Sequence, residues 1–189
     1  MSCVGCCDGA TADIQFASIT SNGGSGIIAS TGSKLRVLGT TVDTHPGNGV
    51  GAFDGTTVLI QCTFVPFPTC AAGSVNTIKN SPTGVNVGTG RTGTIQGANV
   101  TLNGAGVRVD TNSTLRLQTA STTITGNTGT GIVVTNHSVV NFNGPPATVS
   151  GNDGPGLFQV NCFGAPSVLI GNTAGVGAGG VSSTCGMVF

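Results

Sequence analysis

Apolar residues in this chain alternate with polar ones for four or five positions, break at a turn, and resume. The break recurs at a nearly fixed spacing. A glycine leads a short apolar run at Gly26 (GIIA), Gly49 (GVGA), Gly84 (GVNV), Gly106 (GVRV), Gly131 (GIVV) and Gly156 (GLFQ), at intervals of 23, 35, 22, 25 and 25 residues. Aligned on that glycine, a second apolar alternation appears at Leu35, Val58, Leu115 and Val140 and, two residues on, at Val37, Ile60, Ile95, Leu117 and Phe142. The i, i+2 spacing is that of a strand with one face inward. A third lies seven residues before the glycine, at Ile19, Val42, Ile124 and Val149; Val100 fits after a one-residue deletion, and Thr77 fits poorly.

Three short strands in each turn of 22–25 residues predict an all-β fold, a right-handed parallel β-helix of six to seven rungs. We expect a Cys-containing cap over 1–16, the solenoid over 17–179 with an inserted loop at 62–75, and a C-terminal tail over 180–189. Composition agrees. Gly accounts for 33 of 189 residues, only 6% are charged, and every acid is Asp. Such a chain lacks the Glu and Lys that cover exposed helix faces.

Units such as TTITGNTGTGIVVTNHSVVNF (122–142) resemble the pectate-lyase-like family of right-handed β-helix repeat proteins, found in bacterial secreted and surface proteins. The resemblance covers about residues 17–172, and the ending through SSTC is similar to the Cys-containing tail that closes such domains. The fold it implies hosts lyases, hydrolases, epimerases, adhesins and plain scaffolds, so it leaves function open.

Charge excludes several classes. Six basic and six acidic residues give zero net charge, without the basic stripe that nucleic acid requires. No apolar run is long enough to span a membrane. Met1 precedes SCVGCCDG with no apolar leader, and we expect a fragment or a mature form with an added Met. Seven cysteines point to disulfides in an oxidising compartment, extracellular or at the cell surface. Cys62 and Cys70 are candidates to close the inserted loop, and Cys162 and Cys185 to fasten the C-terminal end. A metal at Cys3, Cys6 and Cys7 lacks a fourth ligand; no metal or cofactor is implied.

Asp43 and His45, two apart in VDTHPGNGVGAFD, invite reading as an acid–base pair. Periodicity argues otherwise. His45 falls four before its glycine, where Asn22, Asn80, Asn127 and Asn152 stand, with Asn103 one residue late. His137 shares a column with Gly32, Gly55, Gly90 and Asn112, a position that favours φ > 0.

Two faces are candidate surfaces. The outward positions of the glycine-led strands give Ile28, Phe53, Asn86, Arg108, Asp110, Val133 and Phe158. In lyases of the resembling family this face carries a catalytic Arg and Asp ligands for calcium. Arg108 and Asp110 alone match that pattern, too few carboxylates for the ion's six to eight oxygens. The third strands present Ser18, Thr20, Thr41, Thr101, Thr123, Thr125, Thr148 and Ser150, a hydroxyl array like that of ice-binding β-solenoids, interrupted by Asp43. Phe64 and Phe67 sit in the inserted loop. The reading favoured is a non-enzymatic, adhesin-like or filament-type scaffold that contacts a protein partner, its own copies or a glycan; a polysaccharide lyase using Arg108 and Asp110 and an ice binder are the alternatives.

Overall fold

The computed structural model describes residues 4–6, 9–67, 69–119, 121–153, 158–164, 166–171, 173 and 176–188. Cys3, Cys7, Gly156 and the Cys6 side chain lie outside the described residues. Among those described, the chain winds through three parallel sheets of seven, eight and six strands. None of its helices is long and apolar enough to cross a membrane, because no helix is described at all.

The first sheet holds the glycine-led strands, Ile27–Ala29, Asn48–Ala52, Thr83–Val87, Ala105–Val109, Ile132–Thr135 and Val160–Phe163, with Val4–Cys6 at its edge. The second runs from Thr11–Gln15 to Cys185–Val188 and the third from Ser18–Thr20 to Thr148–Ser150. Strands pair with their counterparts in the next turn, Leu35 beside Val58 and Leu115 beside Val140. Inward columns therefore stack like on like. Val42, Ile78, Val100, Ile124 and Val149 are fully buried in one of them, each touching the residue one strand-spacing, ~4.8 Å, above and below.

The glycine column has a steric cause. A Cβ at Gly106 would sit 2.5 Å from the Gly131 carbonyl oxygen and 2.9 Å from Asn127 Nδ2. The corner is filled by the next turn's backbone and by the asparagine itself, so no side chain fits.

Three expectations shift. Thr77 is not the inward residue of its strand; Ile78 is, paired with Val42 and Val100, since the Gly84 turn carries the same one-residue deletion as the Gly106 turn. Gln159, not Gly156, stands beside Gly131, because Val160 pairs with Ile132. Thr11–Gln15, within the segment expected as a cap, pairs in register with Lys34–Leu38 and adds to the solenoid.

Candidate functional site

The corner between the third and first sheets holds a buried ladder. In Asn103, Asn127 and Asn152, Oδ1 accepts the backbone N–H of the ladder residue one turn earlier, and Nδ2 donates to the carbonyl of that turn's inward residue. Asn127 does so to Asn103 at 3.0 Å and to Val100 at 3.1 Å, and Asn152 to Asn127 at 3.1 Å and to Ile124 at 2.9 Å. His45, only 2% exposed, reproduces both bonds: Nδ1 accepts from Asn22 N–H at 3.2 Å and Nε2 donates to the Ile19 carbonyl at 3.2 Å. Gln159 ends the series, its Oε1 accepting from Asn152 N–H at 3.0 Å. Ser81 rather than Asn80 occupies the remaining slot, its N–H donating to Asn103 Oδ1 at 3.1 Å. The left-handed residue is the one before the ladder, at Ser21, Thr44, Asn80, Leu102, Gly126 and Gly151.

Asp43 faces the other way. It points out of the third sheet, where Asn80 Nδ2 donates to it at 2.7 Å and Lys79 Nζ lies 3.3 Å away. The Asn80 hydrogen bond leads in holding its carboxyl below the usual carboxylate range, aided by Thr44 and Lys79 against the opposing effect of burial. The two residues thus serve opposite sides of one strand end, and they form no dyad. His137 lies at the corner between first and second sheets with φ of 61°, beside Asn136 at 44°.

That same Lys79–Asp43 pair interrupts the hydroxyl face. The registered outward pairs are Ser18/Thr20, Thr41/Asp43, Thr77/Lys79, Asn99/Thr101, Thr123/Thr125 and Thr148/Ser150. Thr123 also gives its hydroxyl to Asn99 Oδ1 at 2.8 Å. Two charges and an amide at the middle of the sheet leave no unbroken Thr lattice.

On the first sheet, the outer face has two columns. One reads Ile28, Gly51, Asn86, Arg108, Val133 and Asn161; the other Phe53, Gly88, Asp110, Thr135 and Phe163, either paired directly or one residue beyond a registered pair. Phe158 does not belong to it: Asn161 and Phe163 take those places, for the three-residue lengthening that puts Gln159 beside Gly131 also moves the outward positions on. Phe163 is 49% exposed.

Phe53 is laid across this face. A Cβ at Gly51 would meet its ring at 2.6 Å and one at Gly88 would meet it at 2.8 Å, through different ring carbons. The ring therefore packs against the strands of both glycines. Asn86, between Gly51 and Arg108 in its column, is half-buried, and its Oδ1 has no hydrogen-bond partner. Arg108 Nη2 reaches Asp110 Oδ2 at 3.3 Å, and Asp54, next to Phe53 in the chain, lies 3.8 Å from Arg91 Nη2. Burial alone would raise the Asp110 carboxyl, but hydrogen bonds from Thr135 and Thr111 and the charge of Arg108 outweigh it and hold it low.

Calcium-assisted lyase chemistry finds no matching donors. Among the described residues no three His, Cys or Asp side chains converge as metal ligands, and Asp110 is already engaged by Thr135 and Arg108.

A family model described as "Right handed beta helix region" matches residues 3–174. The chain belongs to the right-handed β-helix family. No curated protein and no solved structure matches it.

Within this β-helix the disulfides join Cys62 to Cys70 and Cys162 to Cys185. The first closes a small hairpin in which Phe64 bridges to Cys70 and packs edge-on against Phe67 at 5.1 Å. Cys62 is buried at the hairpin base, while Val65 and Phe67 at its tip are about 60% exposed. The second fastens Val160–Phe163 to the last strand of the second sheet. Sequence reading passed over that sheet's outer face, which carries Arg36 bound to Asp13 and an amide column of Gln61, Gln96, Gln118 and Asn143. The signal was present, since Gln or Asn ends most of its strands just before the corner.

Proposed function

We propose that the protein is a non-enzymatic extracellular β-helix module that binds a partner, protein or glycan, through the outer face of its first sheet. The arrangement that carries this reading is the set of apolar side chains on that face, with Phe53 packed against Gly51 and Gly88, Ile28 on the neighbouring strand and Val133 beyond Arg108. Apolar side chains grouped on a surface mark contact. The disulfides and the family's frequency among secreted proteins support the extracellular setting.

Replacing Val133 with Lys adds a charge to the outer face without entering the core. We expect the variant to fold with an unchanged thermal midpoint and to lose capture of glycan ligands on an array, or self-association measured by native mass. Binding and association both identical to wild type would remove this face from consideration.

A further inference from the structure

Asparagine precedes glycine at Asn22, Asn48, Asn103 and Asn143, and the fold holds these four steps very differently. An Asn–Gly step is labile because the glycine nitrogen, with no Cβ beside it, can attack the side-chain amide carbon. We infer that Asn143–Gly144 is a site of spontaneous deamidation, and that the fold protects the same dipeptide at Asn48 and Asn103.

The attack needs a side chain free to swing and a following N–H without a partner. Asn143 meets both conditions. It is exposed and ends the strand Val139–Asn143. Among the described residues, no hydrogen bond reaches its side-chain amide or the Gly144 N–H. Gly144 has φ of +86°, and nothing lies within 4 Å of where its Cβ would stand. Asn103 is the opposite case. It is 1% exposed, its Nδ2 donates to the Ile78 and Thr101 carbonyls at 3.1 and 3.0 Å, and its Oδ1 accepts from Ser81. The Gly104 N–H is also engaged, donating to the Ser81 carbonyl at 2.9 Å. Asn48 opens the strand Asn48–Ala52, and the Gly84 carbonyl oxygen of the next turn would lie 2.7 Å from a Cβ at Gly49. Asn22 stands between these extremes, its Nδ2 tied to the Gly26 carbonyl at 3.1 Å beside an exposed Gly23.

Water is the only co-reactant. The Gly144 nitrogen gives its proton to water or hydroxide and bonds to Cγ of Asn143. The Cγ–Nδ2 bond breaks, Nδ2 takes up a proton, and ammonia leaves a five-membered succinimide. Water then opens that ring. Addition at Cγ gives aspartate, and addition at the backbone carbonyl gives isoaspartate, in which the chain runs on through the former side chain. Either product places a carboxylate at the end of the amide column of Gln61, Gln96 and Gln118, and a chain of zero net charge becomes an anion. Isoaspartate also lengthens the backbone just before Gly144, Pro145 and Pro146.

The test is timed incubation of the intact protein in mildly alkaline buffer, followed by ion exchange and by peptide mapping with enzymatic methylation of isoaspartate. We expect an acidic species to grow with time and to map to Asn143. Its formation should outpace change at Asn103 by at least about tenfold, since the bonds that hold Asn103 must break first. In urea that difference should largely vanish. Asn143→Gln, which alters an exposed side chain, should keep the wild-type thermal midpoint and abolish the early acidic species. Conversion that begins at any other asparagine overturns the inference. So does a native Asn143 as durable as native Asn103, or an early acidic species that survives Asn143→Gln.

Discussion

His45 works as an asparagine. Its two ring nitrogens supply one acceptor and one donor in the places of a side-chain amide. His45→Asn should then keep the ladder, changing stability by no more than about 0.5 kcal/mol. His45→Ala strands the Asn22 N–H and the Ile19 carbonyl in the interior and should cost about 1–3 kcal/mol, both read from urea unfolding. Asp43 makes a prediction of the opposite kind. Its carboxyl is held below the usual range by Asn80, Thr44 and Lys79, so the folded state favours the ionised form. The resulting stability is present above the carboxyl's ordinary value, ~3.9, and fades as pH falls through the lowered one. Asp43→Asn should cost about 0.5–1 kcal/mol at neutral pH, as a surface pair does, and the gap from wild type should close in strong acid. A gap that widens on acidification would contradict the assignment.

At the scale of elements, the hairpin between Cys62 and Cys70 stands apart from the repeat. It leaves from a corner position where the turns before and after carry Gly39 and Gly97. Gly97 is needed there: its φ is +118°, and a Cβ would lie 2.6 Å from Cys70 Sγ and 2.7 Å from Cys62 Sγ. The disulfide thus sits directly on the backbone of the following turn. Gly97→Ala should destabilise the protein and loosen the hairpin, seen as faster amide exchange at Val65 and Ala71, whose N–H groups bond across it to Thr69 and Thr63. Phe67→Ser, by contrast, removes an exposed ring whose described ring contact is Phe64, and should shift stability by less than about 1 kcal/mol. That contrast separates what holds the hairpin from what it displays.

For the whole molecule, eight strands in the longest sheet at ~4.8 Å spacing make a rod of roughly 35 Å, held by pairing between successive turns. Cys162–Cys185 ties its C-terminal end across 23 residues. Converting both to Ser should cost about 3 kcal/mol by loop-closure entropy, observed as a lower thermal midpoint that reductant does not lower further through this bond. The architecture itself was legible in the sequence, because a parallel stack repeats one environment at every turn and so imprints its period on glycine, asparagine and inward aliphatic residues alike. The same regularity places His45 in the asparagine column. Reading faltered where a turn gains or loses residues: Ile78, Ser81, Gln159 and the displaced Phe158 each follow from a small change in corner length, which period alone does not place. What only the tertiary structure decided is how side chains lie across strands. The packing of Phe53 against Gly88 and the Asp43–Lys79 pair join residues more than thirty positions apart, and their juxtaposition depends on which turn stacks on which.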